Sequence, residues 1–328
     1  MSNRLRDGAV LSGATADAIR SGDRRALARA ITLVESSRSE DEDRAAELLE
    51  SLVTPEAPSW RLGISGAPGV GKSTFIEAFG LHALEKGRRV AVLAVDPSSR
   101  LGGGSILGDK TRMERLAADT RAFIRPSPSG GELGGVARRT RDVIRVVEAA
   151  GYDLVIVETV GVGQSETTVA AMTDIFLLLL APGAGDSLQG VKRGIMELAD
   201  LICVNKADGA LADAARHVVS DHRAALSLVR PHETFWTPKV EACSALTGDG
   251  LYAVWAVVDE YFAASQAHLE DKRRSQASAA LWDEVVRLAT ARLAVDSERK
   301  VLRETLETEV ASGAMPLRRA AQRLLDDR

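Results

Sequence analysis

An α/β fold is what the sequence predicts: a doubly wound, mostly parallel sheet with helical extensions at both ends. Three observations carry that prediction. Short apolar runs recur through the middle of the chain without strict alternation, as strands covered on both faces require. Segments of helical periodicity separate these runs and are long enough to serve as crossovers. The first run leads directly into a glycine-rich loop that opens a helix.

The elements follow in order. Residues 1–58 form an N-terminal helical extension, charged and rich in Ala, Leu and Arg. Its apolar positions, Ala26, Leu27, Ala30, Ile31 and Val34, then Ala45, Leu48, Leu49 and Leu52, keep helical spacing. Thr54-Pro55-Glu56-Ala57-Pro58 closes it, because proline cannot continue a helix. Residues 59–264 form the α/β domain. Its expected strands are Arg61–Ser65, Val90–Val95, Ala122–Ile124, Leu154–Val157, Ile175–Leu180, Leu201–Val204 and Val240–Cys243, with helices such as Ser73–Glu85 and Gly134–Ala149 between them. Residues 265–328 return to a helical pattern. One stripe carries Leu281, Trp282, Val285, Val286 and Leu293, a second Val301, Leu302, Leu306 and Val310, and a last short helix follows Gly313 and Pro316.

Composition narrows the function. The chain has 328 residues, 45% of them hydrophobic, enough for one packed core with additions. A net charge of -4, from 42 basic and 46 acidic residues, argues against partners held by bulk electrostatics, nucleic acid and anionic membrane among them. Cys203 and Cys243 stand alone in apolar runs, which reads as buried thiols in a reducing compartment. The first residues carry no apolar run of signal-peptide length, and Ile175–Ala181 is too short to cross a bilayer. A soluble, cytoplasmic protein is expected.

The motifs point to a nucleotide. Gly66-Ala67-Pro68-Gly69-Val70-Gly71-Lys72-Ser73-Thr74 is GxxxxGK(S/T) in the required strand–loop–helix setting. Its glycines let backbone N–H groups turn toward phosphate oxygens, and the helix N-terminus adds its dipole. Lys72 is expected at the β- and γ-phosphates and the Ser73 hydroxyl on Mg²⁺. After a later strand come Asn205-Lys206-Ala207-Asp208, the NKxD pattern, and after the next Ser244-Ala245-Leu246. The Asp208 carboxylate can accept from guanine N1–H and the 2-amino group. Adenine offers neither, so GTP is favoured over ATP.

Asp96 and Glu158 end strands on the phosphate side of such a sheet, where carboxylates can hold Mg²⁺ through water. Asp96 also fits a plain helix N-cap. Glu158 opens Glu158-Thr159-Val160-Gly161-Val162-Gly163-Gln164, where a glutamate replaces the usual aspartate. Gly161 is expected to aim its N–H at the γ-phosphate. Val162, standing where many GTPases carry the water-orienting glutamine, cannot orient water, so slow intrinsic hydrolysis is expected. Asp109 and Thr111 in a glycine-rich stretch after Asp96, and Gln189 and Lys192 in the segment after Ile175–Leu180, are candidates to complete the site. Asp109 fits an N-cap nearly as well, and the later segment fits a solvated loop.

Together, GAPGVGKST, AVDPSS, RPSPSGGELGGVAR, ETVGVGQSE, APGAGDSLQGVKRG and NKAD resemble the MeaB family, P-loop GTPases of the SIMIBI class. The likeness runs the whole chain. It implies a chaperone of adenosylcobalamin-dependent methylmalonyl-CoA mutase that gates coenzyme loading, protects the mutase and is stimulated by it. It also implies a homodimer held by the C-terminal arm, with a cobalamin adenosyltransferase as a candidate further partner. Carried over, Lys72 and Ser73 bind phosphate and Mg²⁺, while Asp96, Asp109 and Glu158 form the metal and water network. Asn205 and Asp208 read guanine, and residues 182–192 become a switch that answers to the mutase. Competing readings remain a P-loop kinase, a nickel metallochaperone GTPase (disfavoured by the missing Cys/His cluster) and an arm-mediated scaffold with vestigial hydrolysis.

Overall fold

The computed structural model describes residues 13, 15–52, 58–95, 113–126, 133–159, 165–183, 193–228, 231–295 and 299–326. Seven strands form one sheet: β1 Trp60–Gly66, β2 Val90–Val95, β3 Ala122–Arg125, β4 Leu154–Thr159, β5 Ile175–Leu180, β6 Leu201–Val204 and β7 Lys239–Ala242. The order is β3-β2-β4-β1-β5-β6-β7, and every neighbouring pair is parallel. Strand β1 lies between β4 and β5, so the sheet winds outward in both directions from it. The carboxyl end of β1 is therefore where a doubly wound sheet opens a binding crevice.

Strands β2 to β6 each feed two cores, and β1 and β7 feed one each. Leu62, Ile64, Val92, Ile156, Leu177 and Cys203 face one side. There they pack with Phe75, Ile76 and Phe79 of α3 (Lys72–Glu85) and with Val254, Val258, Tyr261 and Phe262 of α9 (Leu251–Ser265). Ala91, Leu93, Val155, Val157, Leu178 and Ile202 face the other side. They meet α5 (Leu133–Ala149) and the N-terminal helices α1 (Arg24–Val34) and α2 (Ser39–Ser51). Burial on both faces explains the unbroken apolar runs, since a polar residue at either phase would be stranded without water.

Helix α1 starts where Asp23 accepts from the backbone N–H groups of Arg25 at 2.7 Å and Ala26 at 3.1 Å. Its stripe Ala26, Leu27, Ala30, Ile31 and Val34 is buried. The sequence boundary at residue 58 thus separates patterns within one compact unit, which runs from Met1 to Gln276.

The amino-terminal edge of the sheet is closed by charge. Asp174, before β5, is fully buried and accepts from Arg273 at 2.8 and 2.6 Å and from the Arg61 backbone N–H at 2.9 Å. Arg61 in turn pairs with Glu148 at 2.6 and 2.9 Å. These bidentate pairs satisfy carboxylates that would be costly to bury alone. Cys203 and Cys243, 40 positions apart in sequence, bring their Sγ atoms to 3.1 Å, and burial pushes the Cys203 thiol's pKa well up. Both thiols are free and buried.

Residues Ala277–Arg328 form the second compact unit. It holds the later part of α10 (Leu269–Val295), then α11 (Lys300–Ala311) and α12 (Leu317–Asp326). Arg299 Nη1 donates to the Leu324 carbonyl at 2.9 Å, tying α11 to α12. Gly313, at φ 76°, makes the turn between these two helices. No described helix is long and apolar enough to cross a membrane.

Candidate nucleotide site

The candidate phosphate loop leaves β1 at Gly66 and enters α3 at Lys72. Gly66 is forced by space: a Cβ there would stand 2.4 Å from the Leu179 carbonyl oxygen of the neighbouring strand. Gly71 is forced by conformation as well, with φ 96° and an added Cβ 2.7 Å from Asn205 Nδ2. Val70 is buried into the core, which anchors the loop's middle. Ala67, Pro68, Ser73 and Thr74 complete the turn and first helical residues, and Ser73 is half-buried.

Lys72 Nζ donates to the Gly66 carbonyl at 2.7 Å and to Ala67 at 3.4 Å, so its ammonium lies across the loop. Burial lowers its pKa from the ordinary lysine value, while the charges of Glu158 and Glu166 pull it back up. Glu158 stands near the end of β4, beside Ile64 of β1 and Ala94 of β2, and is buried. Glu166 is equally buried, in the first turn of α6 (Ser165–Ala170). Sequence reasoning did not single it out. Its one signal was position, the last residue of ETVGVGQSE, eight residues beyond Glu158.

The residues of the NKxD pattern hold the loop from the other side. The Asn205 amide is buried and engaged at both ends: Nδ2 donates to the Val70 carbonyl at 3.0 Å, and Oδ1 accepts from the Ala245 N–H at 3.0 Å. Lys206, at φ 60°, donates its Nζ to the Gly69 carbonyl at 2.7 Å, laying its aliphatic stem beside the loop. The Asp208 carboxylate is half-buried and has no hydrogen-bond or ion-pair partner among the described residues. Ser244 is buried and its Oγ accepts from Thr247 N–H at 3.1 Å, shaping the turn that presents the Ala245 backbone. Leu246 is 81% exposed on that turn.

The structure thus brings together Gly66–Thr74, Asn205, Lys206, Asp208 and Ser244–Leu246, with Glu158 within electrostatic reach of Lys72. Asp96, Asp109, Gly161, Gln189 and Lys192 lie outside the described residues. The donor set suits Mg²⁺ bound with a nucleotide. Mg²⁺ keeps several waters and takes one or two protein ligands plus phosphate oxygens; here the Ser73 hydroxyl, with no protein partner among the described residues, follows Lys72 in the first turn of α3, and the buried Glu158 carboxylate acts on that lysine.

A central strand ending in GxxxxGK(S/T), with an NKxD segment from β6 bolted to its loop, defines a P-loop GTPase. The chain belongs to one family of these: residues 27–298 match the methylmalonyl Co-A mutase-associated GTPase MeaB family. It is 52% identical over 307 residues to a putative GTPase of Caulobacter vibrioides, covering 93% of this chain and 94% of that one. It is 43% identical over 316 residues to the mouse methylmalonic aciduria type A homolog, mitochondrial, covering 93% and 76%. The crystal structure of an LAO/AO transport system kinase superposes with a TM-score of 0.78 at 34% identity, over 97% of both chains. The doubly wound fold read from the sequence is the fold found, and the chain is a GTP-hydrolysing enzyme.

Proposed function

We propose that this GTPase is a soluble, cytoplasmic, homodimeric chaperone of adenosylcobalamin-dependent methylmalonyl-CoA mutase. In this reading it gates coenzyme loading and protects the mutase, hydrolyses GTP slowly alone, and speeds up when the mutase binds. The family match across residues 27–298 carries the reading. The bolted loop supports its first half, because a pocket whose loop is fixed by Asn205 and Lys206 binds phosphates without reorganising. Lys72 holds the β- and γ-phosphates, trading its bonds to the Gly66 and Ala67 carbonyls for phosphate oxygens. Mg²⁺, which Ser73, Glu158, Asp96 and Asp109 would hold, would supply charge neutralisation for the phosphates. Asp208 selects guanine, while the Ala245 turn and the Lys206 stem bound the base. Gly161 meets the γ-phosphate. With Val162 where a glutamine would orient water, Gln189, Lys192 or Asp109 completes the site when the mutase arrives.

GTP turnover, with and without the mutase and with ATP as control, tests the core of this. A low GTP-specific rate that rises at least about tenfold with mutase is expected, as for a partner-supplied charge. In Lys192→Ala the basal rate and GDP affinity stay near wild type and the rise disappears. Turnover indifferent to the mutase would remove it as the client.

The homodimer rests on the second unit. Leu281, Trp282, Val285 and Val286 repeat at helical spacing along α10 and are all exposed, an apolar stripe larger than a lone helix keeps in water. Trp282→Glu is expected to halve the sedimentation mass at micromolar concentration and leave GDP binding unchanged. An unaltered mass would place the dimer contact elsewhere.

A further inference from the structure

A second basic concavity lies away from the nucleotide loop. It has a volume of about 610 Å³ and is walled by the end of α1, the segment into α2, the end of β3 and α5. Among the described residues, Arg29, Arg38, Arg125 and Arg139 line it together with two carboxylates, Glu35 and Asp41.

Both carboxylates are already committed. Glu35 takes Arg125, accepting from its Nε at 3.2 Å and from its Nη2. Burial raises the Glu35 pKa, and the charges of Arg125 and Arg139 oppose that rise. Asp41 accepts from the Ser36 hydroxyl at 2.7 Å and from Arg44 at 3.1 Å. The remaining guanidiniums are poorly matched. Among the described residues, Arg139 Nε is buried without a hydrogen-bond partner, Arg38 reaches Glu40 only at 3.9 Å, and Arg29 has no ion pair. The Ser37 hydroxyl lines the same wall and is likewise uncommitted among the described residues.

Four guanidiniums against two carboxylates leave the described lining with a net positive charge, and a buried N–H with no acceptor is costly. Guanidinium forks match the tetrahedral oxygens of phosphate, which offers more acceptors than a carboxylate. The volume is in the range that holds a small molecule, roughly 300–1,000 Å³. We infer that the hollow bounded by Arg29, Arg38, Arg125 and Arg139 is a binding site for a small phosphate-bearing anion of at least two negative charges, separate from the GTP site.

The test uses the full chain saturated with GDP, so that the P-loop is filled. Pyrophosphate is titrated calorimetrically at low ionic strength. One saturable site is expected, weakened about tenfold in Arg29→Ala and again in Arg139→Ala, and weakened by added salt. Arg139→Lys, which keeps the charge and loses the fork, should fall between wild type and Arg139→Ala. GTP turnover should stay at the wild-type rate in all three. Arg29 is exposed, so its variant reports even if Arg139→Ala folds poorly. A sugar phosphate run in parallel separates sources: tighter binding of the ester marks an organic phosphate, tighter pyrophosphate an inorganic one. No saturable binding to the GDP-loaded protein, or equal binding by wild type and both alanine variants, would overturn the assignment. So would capture of a glutamate-rich peptide without pyrophosphate binding, which would make the hollow a protein dock.

Discussion

Gly71→Ala is expected to weaken GDP binding on the order of 100-fold while leaving the sheet intact. Two costs combine. A left-handed backbone at φ 96° disfavours any side chain, by roughly 1–2 kcal/mol. The new Cβ would also lie 2.7 Å from Asn205 Nδ2, displacing the amide from its 3.0 Å bond to the Val70 carbonyl. Losing a buried hydrogen bond with its partner left behind costs about 1–3 kcal/mol. Together these reach several kcal/mol, and each 1.4 kcal/mol is about tenfold in affinity. The other half of this contact supplies a control. Asn205→Ala should lose a similar share of affinity, and the double variant should lose less than the sum, because both changes break one contact. Additive losses, or a Gly71→Ala affinity within about threefold of wild type, would mean the Asn205 bolt does not hold the loop in its phosphate-binding shape.

That bolt marks the limit of what the sequence tells. Strands β2, β5 and β6 fall on the predicted residues because each is apolar at both phases and too short for a buried helix, which leaves a doubly covered strand. At the sheet edge the signal weakens: β7 reads Lys-Val-Glu-Ala with only Val240 buried, and its bounds sit one residue before the expected Val240–Cys243. The apolar stripe of α1 was visible, but its burial against the same sheet was not, since periodicity says that a face is covered and not by what. Residues 1–58 therefore read as a separate extension although they share the unit of the sheet.

The site divides in the same way. GxxxxGK(S/T) and NKxD were legible because local backbone and strand ends dictate them. That Asn205 spends its amide on Val70 and Ala245 was not, because those contacts span 135 and 40 residues of chain. Glu166 closes the motif ETVGVGQSE. Only the turn that starts α6 brings its charge to bear on Lys72, and residue spacing does not reveal the path of that turn.

The structure also sharpens which residue should decide between GTP and ATP. Asn205 is held by the protein at both ends of its amide, so its part in base choice is largely to fix the frame. Asp208 differs: its carboxylate is half-buried and unpaired among the described residues, at the start of the helical turn Gly209–Leu211. A carboxylate there can take the N1–H and 2-amino protons of guanine together. Against adenine it would face an acceptor nitrogen and no amino group, remaining partly desolvated and unsatisfied. Two hydrogen bonds to a charged acceptor are worth about 1.5–3 kcal/mol each, so the preference resting on this residue is roughly 10²- to 10⁴-fold. Asp208→Asn keeps one acceptor and presents an N–H₂ group to the guanine amino group. GDP affinity should fall about 10- to 100-fold, the share of one such bond, and ADP affinity should hold or rise slightly, with the melting temperature of the free protein unchanged because the carboxylate has no partner to lose among the described residues. Xanthosine diphosphate supplies the decisive arm. It replaces the 2-amino group with a carbonyl that the asparagine N–H₂ can serve, so the variant should bind it more tightly than the wild type does. Unchanged GDP-to-ADP selectivity, together with no gain for the xanthine nucleotide, would take Asp208 out of base reading and leave the choice to the Ala245 backbone.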